Sequence, residues 1–245
     1  MNATVEGVLS ANARLTGEID VLKAELDGFT YSVSHDLRAP VRAVLGFARV
    51  VADDHGSALD EEGRRLLAVV QSEASRMGDM IDALLALSRI GREAMAYLPV
   101  DMAGLVYEVV AERAVQEQSL FDVGDLPGVC GDRVLLRQVW ANLLSNAVKF
   151  SSRTPTPQLR VWATRDAARV IYHVGDNGVG FDMKCADKLF GVFQTLHRRA
   201  RFPGTGAGLA MVKRIVHRHG GTVWADAQLD VGATFSFALP DEGTQ

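Results

Sequence analysis

The feature that most constrains the fold is a run of apolar residues near the N-terminus, spaced by alternating steps of four and three. These positions are Leu15, Ile19, Leu22, Leu26, Phe29 and Val33. Such spacing is typical of the apolar seam of a coiled coil, which needs a partner helix. The alternative is an amphipathic helix that packs on its own domain.

The seam changes its spacing where a proline enters the helix. Two successive steps of four separate Val33, Leu37 and Val41 before the earlier rhythm resumes. A slip of this kind alters the local winding of a coiled coil. Pro40 has no N–H and leaves the carbonyl of Asp36 without its intrahelical partner, so we expect the helix to bend here.

A second helix is predicted after a connection at residues 53–58. Ser57, with Asp60 three residues later, matches a capping box that would open this helix, and Gly91 is a plausible end. Its expected buried stripe is Leu66, Val70, Ala74, Met77, Ile81 and Leu84. A helical hairpin cannot bury the stripes of both helices alone. We therefore predict an all-α hairpin domain, residues 1–94, that forms a dimeric four-helix bundle.

The remainder, residues 95–245, has the mixed periodicity of an α/β domain. Helices are expected at residues 102–118, 132–150 and 207–219, and strands at 159–164, 169–174, 222–225 and 233–238. An irregular stretch with several glycines separates the first two helices. Because helices and strands do not alternate strictly, the pattern favours a sheet covered by helices on one face over a doubly wound fold.

Three polar residues share one face of the predicted helix at 132–150. Asn142, Asn146 and Lys149 are spaced by four and three. Amide oxygens and an ammonium group on one face suit a magnesium-bound triphosphate, because Mg²⁺ prefers oxygen ligands and lysine pairs with phosphate. The alternative is an ordinary polar helix face.

Two glycine-rich segments could complete a nucleotide site. In VGDNGVGFD, Asp176 ends a strand, and its carboxylate could accept a hydrogen bond from the amine of adenine, although such a segment is often only a turn. In FPGTGAGL, three glycines precede a helix whose N-terminal amides could bind phosphate. No strand precedes this second segment, so it does not match a dinucleotide-binding fingerprint.

The composition narrows the possible classes of protein. The formal net charge of -4 argues against nucleic-acid binding. No apolar run approaches the roughly 18 residues of a membrane-spanning helix, so we expect no membrane segment. Cys130 and Cys185 are too few for a disulfide framework, which fits a cytoplasmic protein.

Five segments, taken together, resemble the conserved boxes of bacterial sensor histidine kinases. SHDLRAP resembles the H-box, NLLSNAVKFS the N-box, DNGVGFD the G1 box, LFGVFQTL the F-box and GTGAGL the G2 box. They follow the family's order from about Gly28 onward. The segment ADKLFGVFQTLH is most similar to the corresponding segment of kinases coupled to phytochrome- or PAS-type sensors. The resemblance implies a HisKA dimerisation and phosphoacceptor domain, followed by an α/β sandwich of the gyrase, Hsp90, histidine kinase and MutL ATP-binding type (HATPase_c).

The resemblance also implies a reaction and its partners. A homodimer would autophosphorylate His35 from ATP and pass the phosphoryl group to an aspartate of a separate response regulator receiver domain, under control of an upstream sensor domain. Asp36 would accept a proton from the imidazole, and Asn146 would bind Mg. Residues 183–206 would form a lid over the nucleotide. The implied nucleotide-site residues are Asn142, Asn146, Lys149, Phe150, Asp176, Gly178, Gly180, Phe193, Gly204, Thr205, Gly206, Gly208 and Leu209.

Two departures from the family pattern qualify this interpretation. Ala39 stands four residues after His35, where relatives with strong phosphatase activity resemble each other in having Thr or Asn, so we expect weak phosphatase activity. A run of lid arginines, Arg198, Arg199 and Arg201, is either a solvated basic loop or a source of positive charge for the γ-phosphate.

Two other functions were weighed against an active kinase. The first is a non-catalytic dimeric signalling module that binds nucleotide, and the retained His35, Asp36 and nucleotide-site residues count against it. The second is an ATP-gated clamp of the gyrase or chaperone kind, which would lack the helix that carries His35.

Overall fold

The computed structural model describes residues 2–112, 120–166, 168–196, 202 and 204–241, with side chains only at some positions of the first 27 residues. The chain divides into two compact units, Met1–Arg92 and Glu93–Gln245. The domain limits 1–94 and 95–245 stay a prediction. Across the described ranges, no helix combines the length and apolar character needed to cross a membrane.

The first unit is an antiparallel helical hairpin. Helix α1, Asn2–His55, continues through Pro40, and a short 3-10 turn, Gly56–Ala58, leads to α2, Glu61–Arg92. Whether α1 bends at Pro40 stays a prediction.

The two predicted ends of α2 are wrong. Ser57 lies within the 3-10 turn, and the cap of α2 is Asp60, whose Oδ1 accepts from the N–H of Gly63 at 2.7 Å. The chain completes the tight turn before α2 starts, which moves the cap by three residues. Gly91 lies inside the helix, which continues to Arg92.

Small and polar side chains hold the two helices of the hairpin together. Ser34 and Ala48 of α1 are buried, as are Ala74 and Ile81 of α2. The side chain of Gln71 reaches across and donates from Nε2 to the carbonyl of Ala48 at 3.0 Å. The inner face of the hairpin therefore combines small side chains with a polar contact between the two helices.

The buried stripe predicted for α2 is only partly correct. Ala74 and Ile81 are buried, but Leu66, Val70 and Met77 are exposed. Gln71, one residue after Val70, reaches α1 instead, and Leu84 is half-buried. The three exposed members of the predicted stripe point away from the partner helix of the same chain.

A matching apolar stripe is exposed on α1. Its members follow steps of seven, three and four after Leu37, and they are Val33, Leu37, Val44, Phe47 and Val51. Phe47 is the most exposed of them, at 73% of its surface. The hairpin thus has one apolar face inside it and a second one directed outward.

The second unit contains a five-stranded mixed sheet with helices on one face. Its elements, in chain order, are β1 (Leu98–Val100), α3 (Met102–Ala111), β2 (Phe121–Val123), β3 (Val129–Gly131), α4 (Arg133–Ser151), β4 (Leu159–Arg165), β5 (Arg169–Asp176), a 3-10 turn (Met183–Lys188), α5 (Gly208–Arg218), β6 (Thr222–Gln228) and β7 (Gly232–Pro240). The strand order is β2-β4-β5-β7-β6, with β2 parallel to β4 and the other pairs antiparallel. Strands β1 and β3 form a separate antiparallel pair.

The predicted α/β sandwich is confirmed, with strands β4 to β7 and helices α4 and α5 close to their expected limits. The three-residue strands β1, β2 and β3 were missed, because three residues are too few to establish an alternating pattern. The helix predicted over 102–118 is described only to Ala111, and residues 113–119 lie outside the described part.

Aromatic side chains on the covered face of the sheet form the centre of the core. Trp140 of α4 meets the rings of Tyr172 (β5) and Phe237 (β7) edge-on, with centroids 5.7 and 5.2 Å apart. All three side chains are fully buried. Edge-to-face contacts of this kind add to the stabilisation from burial. They fix α4 on the middle of the sheet.

A buried histidine joins the end of α5 to the start of α4. His219 is 3% exposed. Its Nδ1–H donates to the carbonyl of Ile215 at 2.8 Å, and its Nε2 accepts from the N–H of Asp132 at 3.0 Å. Asp132 caps α4 by accepting from the N–H groups of Val134 and Leu135. Only a neutral imidazole can make both contacts, and burial lowers the pKa of His219.

We predict that His219 makes the second unit less stable in mild acid. Because its folded pKa lies below the ordinary value of 6.5, the unfolded state binds the proton first. The contribution of the neutral ring is fully present above pH 6.5 and is lost as the pH falls through this range, at up to about 1.4 kcal/mol per pH unit. Urea unfolding at pH 7.5 and 5.5 should therefore show a smaller pH dependence for His219→Gln than for the parent.

The matched control for this experiment is His217→Gln, because His217 is an exposed neighbour in the same helix. This control should keep the pH dependence of the parent. An equal pH dependence in the parent and in His219→Gln would contradict the assignment.

Candidate functional site

A cavity of about 340 Å³ lies in the second unit, between α4, the end of β5, β7 and the N-terminus of α5. Most of the residues proposed for a nucleotide site line it. They are Asn142, Asn146, Lys149, Phe150, Asp176, Gly180, Gly204, Thr205, Gly206, Gly208 and Leu209. The chain therefore brings three separate sequence segments to one concave surface.

Four candidates lie elsewhere. Gly178 and Phe193 are not on the cavity wall. His35 and Asp36 belong to the helical hairpin of the first unit. The lid arginines Arg198, Arg199 and Arg201 lie outside the described residues, so their two interpretations stay open.

The cavity also has walls that the sequence did not single out. They are Ser145, Phe181, Leu189, Gln194, Thr195, Leu196, Phe202, Ala233 and Phe235. Helical spacing could have found Ser145, which lies three residues after Asn142. The segment LFGVFQTL resembles a family box as a whole, which points to Phe193 but does not distinguish Leu189, Gln194, Thr195 or Leu196 as wall residues. Phe235 and Ala233 could not be predicted as wall residues, because apolar residues in a strand such as β7 are equally expected in the core.

Asn142 fixes the distance between the two helices that border the cavity. Its Nδ2 donates to the carbonyl of Gln138 at 2.8 Å, which leaves Oδ1 directed at α5. A Cβ at Gly208 would lie 2.5 Å from this oxygen. Glycine at this position therefore allows the first turn of α5 to rest against the polar face of α4.

Lys149 places a partly buried positive charge on the cavity wall. Its Nζ lies 4.4 Å from the centre of the Phe150 ring, and burial lowers its pKa. Among the residues that the structure describes, no carboxylate forms an ion pair with it. A cation with this surrounding favours an anionic ligand, because a partner charge would offset the cost of its burial.

Asp176 is the half-buried carboxylate of the same cavity. It ends β5, and one oxygen, Oδ1, accepts from the N–H of Gly178 at 2.9 Å. Burial raises the pKa of Asp176 to about 6, although hydrogen bonds from the backbone of Gly178 and Ala233 oppose this rise. Asp176 can thus accept hydrogen bonds strongly at neutral pH, although keeping its charge in this surrounding costs free energy.

The glycines after Asp176 are required by close packing of the backbone. A Cβ at Gly178 would lie 2.5 Å from the carbonyl oxygen of Phe150. Gly180 has a φ of +53°, and a Cβ there would lie 2.0 Å from the carbonyl oxygen of Gln228. The two glycines therefore press the loop against α4 on one side and the β6–β7 hairpin on the other. Gly178 serves the site by orienting Asp176.

The N-terminus of α5 opens onto the cavity without a side-chain cap. Its N-cap residue is Ala207, which supplies no hydrogen-bond acceptor from its side chain. Gly206, with a φ of +76°, turns the chain into the helix, and Gly206 and Gly208 both line the cavity. The first N–H groups of a helix and its dipole attract anions, so this end of the cavity suits phosphate.

His35 lies on an exposed part of α1. Its side chain is 67% exposed, and its Nδ1 lies 3.3 Å from Oδ1 of Asp36, which can accept a hydrogen bond from a proton on Nδ1. Three residues later, the guanidinium of Arg38 pairs with Asp82 of α2. A proton held on Nδ1 leaves the lone pair on Nε2, which is the nitrogen able to act as a nucleophile.

Two family models match the chain, in the order that the sequence motifs predicted. Residues 25–93 match the His Kinase A (phospho-acceptor) domain. Residues 131–243 match the histidine kinase-, DNA gyrase B- and HSP90-like ATPase family. Together the two matches cover well over half of the chain, and they fall on the helical hairpin and on the sheet domain.

Relatives and solved structures agree with these matches. The chain is 30% identical to the phytochrome-like protein Cph1 of Synechocystis over 93% of its own length and 31% of that protein. It is 33% identical to the sensor-like histidine kinase SenX3 of Mycobacterium tuberculosis, over 89% of its own length and 55% of that protein. The crystal structure of full-length ShkA in complex with AMPPNP matches with a TM-score of 0.61 at 26% identity, covering 87% of this chain and 45% of that one.

These matches confirm the resemblance drawn from the five sequence boxes, including its likeness to phytochrome-coupled kinases. The chain spans about a third of the length of the phytochrome relatives it matches. With a phosphoacceptor-type helical hairpin followed by an ATP-binding domain, the chain belongs to the sensor histidine kinase family.

Proposed function

We propose that this chain is a kinase core that transfers the γ-phosphoryl group of ATP to its own His35, and then to an aspartate of a response regulator. The observation that carries the proposal is the charge pattern of the cavity. A half-buried carboxylate, Asp176, lines it together with the half-buried ammonium group of Lys149 and the uncapped N-terminus of α5. This pattern complements a molecule with a hydrogen-bond-donating base and an anionic tail.

ATP fits the two kinds of group on the cavity wall. Asp176 accepts a hydrogen bond from the exocyclic amine of adenine. Lys149 and the first amides of α5 receive the phosphates, because both carry positive charge into a site partly shielded from water. The rings of Phe150 and Phe202, whose centres are 5.1 Å apart, supply apolar surface on the wall of the same cavity.

Magnesium is expected to bind through the nucleotide more than through the protein. The described residues contain no cluster of three His, Cys, Asp or Glu side chains that could hold a metal alone. Mg²⁺ commonly takes one or two protein ligands and completes its shell with phosphate oxygens and water. The amide oxygen of Asn146, on the cavity wall, is the protein ligand that we assign. When bound, the ion neutralises charge on the phosphates.

The chemical role of the hairpin follows from the two nitrogens of His35. Asp36 accepts the proton of Nδ1–H while the lone pair on Nε2 attacks the γ-phosphorus. The N–P bond forms as the bond to the β,γ-bridging oxygen breaks, and ADP leaves. Assistance from a base is worth about 10²–10⁴ in rate, and positioning and charge neutralisation supply the remainder.

We further propose that two copies of the hairpin form a four-helix bundle. The outward apolar stripe of α1 and the exposed Leu66, Val70 and Met77 of α2 form the surface that would be buried. The 3- and 4-residue spacing on α1 is that of helices that pack side by side. The sensor domain and the receiver are then partners of this dimer, and Ala39 limits its phosphatase activity.

Autophosphorylation can be tested directly with purified protein, Mg²⁺ and γ-labelled ATP. The parent should incorporate acid-labile label, and His35→Gln should incorporate none, because the attacking nitrogen is gone. The matched control is His55→Gln, since His55 is an exposed histidine of the same helix and should leave labelling unchanged. Label in the parent that survives in His35→Gln would refute His35 as the acceptor.

The nucleotide site can be tested through Asp176→Asn. We expect ATP affinity to fall by roughly ten- to a hundredfold, because a hydrogen bond to a charged group is worth about 1.5–3 kcal/mol. The pKa of Asp176, about 6, lies above its ordinary value of 3.8, so its charge costs stability once the pH exceeds this range. The variant without nucleotide should therefore gain on the order of 1–3 kcal/mol of unfolding free energy at pH 8.

Calorimetric titration with ATP and urea unfolding at pH 8 and pH 4 provide the two readouts for Asp176→Asn. Asp226→Asn changes an exposed carboxylate of the same sheet and should alter neither. Weaker ATP binding together with higher stability cannot come from misfolding. Unchanged ATP affinity would remove Asp176 from the nucleotide site.

The dimer can be tested by placing a charge on the outward stripe. Phe47→Glu should raise the dissociation constant of the dimer at least about tenfold, because it puts a charge into an apolar interface. Arg49→Glu introduces the same side chain on the opposite side of α1 and serves as the control. Sedimentation equilibrium measures both, and an unchanged constant for Phe47→Glu would place the dimer contact elsewhere.

A further inference from the structure

An ion pair between the two helices of the hairpin lies one helical turn beyond His35. Nε of Arg38 donates to Oδ1 of Asp82 at 3.1 Å, and a second guanidinium nitrogen bonds to the same oxygen. Both donors converge on one carboxylate oxygen, so the pair lacks the two-oxygen fork of the strongest arginine contacts. In the described part of the chain, no other carboxylate pairs with Arg38.

The position of Arg38 relative to His35 places its charge near the phosphoacceptor. Residues three apart on an α-helix are neighbours on its surface, with Cβ atoms about 5–6 Å apart. The side chain of Arg38 is 31% exposed and that of Asp82 62%. The guanidinium is thus within reach of solvent on the side of the helix that also carries the exposed His35.

We propose that Arg38 exchanges partners when His35 is phosphorylated. Its guanidinium releases Asp82 and binds the phosphoryl group on His35. This inference rests on the proposed function, and it assigns to Arg38 the role of holding the phosphoryl group on the hairpin. The exchange also makes the ion pair between Arg38 of α1 and Asp82 of α2 depend on the phosphorylation state of His35.

The exchange follows from the charges involved. A phosphoryl group carries about two negative charges near neutral pH and three acceptor oxygens, whereas Asp82 offers one charge. Solvent-exposed ion pairs are weak, so little opposes the loss of the contact with Asp82. Arginine also matches phosphate with two parallel N–H donors, a geometry that it lacks with Asp82.

The test uses protein whose His35 has been phosphorylated chemically with phosphoramidate, which does not need the ATP site. In hydrolysis, water attacks phosphorus, the N–P bond breaks and the leaving imidazole takes up a proton. A guanidinium bound to the phosphoryl group opposes that protonation. Arg38→Gln should therefore shorten the half-life of the phosphorylated residue by about two- to fivefold, and Asp82→Asn should lengthen it by a similar factor.

The opposite directions separate this role from a structural one. Both substitutions break the same ion pair, so a merely structural pair would move the half-life in the same direction, or not at all, and that result would overturn the proposal. Arg38→Lys keeps the charge and should restore part of the half-life. Arg65→Gln and Glu62→Gln break an exposed pair within α2 and should leave the half-life unchanged.

The half-life is followed on the peptide that contains His35 by mass spectrometry, because the chain has six histidines. Thermal unfolding of each variant verifies that the hairpin is folded. A parent that takes no label from ATP would overturn the proposed function alone, because the chemically phosphorylated protein still reports on Arg38. Equal half-lives of the parent, Arg38→Gln and Asp82→Asn would overturn the inference alone.

Discussion

The packing of α5 against α4 is the interaction on which the nucleotide-binding half of the chain depends. At one end, the buried imidazole of His219 joins the last turn of α5 to the cap of α4. At the other end, Gly208 rests against the amide of Asn142. The polar face of α4 and the uncapped start of α5 can border one cavity because both contacts set the same narrow spacing.

The helical hairpin is packed differently, with small residues among those inside it and several large apolar residues on its outer surface. Ser34, Ala48 and Ala74 are among the residues buried inside the hairpin. Several large apolar side chains, among them Phe47 of α1 and Leu66, Val70 and Met77 of α2, are left on the outside. The same sequence pattern thus supplies two faces, of which one closes the hairpin and the other is available to a second chain.

Patterns of spacing predicted the long elements of the fold well and its short ones poorly. The period of α4 and the alternation in β5 and β7 extend over enough residues to be recognised. Strands of three residues carry no such signal. The predicted stripe of α2 was displaced because apolar residues indicate a buried face but not which partner buries it. The cap at Asp60 was missed because a 3-10 turn preceded it.

The sequence predicted those site residues whose polar group serves mainly to contact a ligand. Asp176, Lys149 and Asn146 carry their polar groups in recognisable motifs, and they line one cavity. Gly178 shows the limit of this reasoning, because its glycine is required by the backbone of Phe150 and not by a ligand. Phe235 and Ala233 could not be told from core residues, since a cavity wall and a core use the same side chains.

The apolar residues left exposed on both helices of the hairpin have a consequence for how the protein behaves on dilution. Burial of these exposed apolar residues against a second copy would add to the stability of the hairpin, so its folding would depend on protein concentration. The sheet domain has its own buried core and does not share this dependence. In the dimer that we propose, dilution therefore lowers the stability of the helices that present His35 and leaves that of the nucleotide-binding domain unchanged.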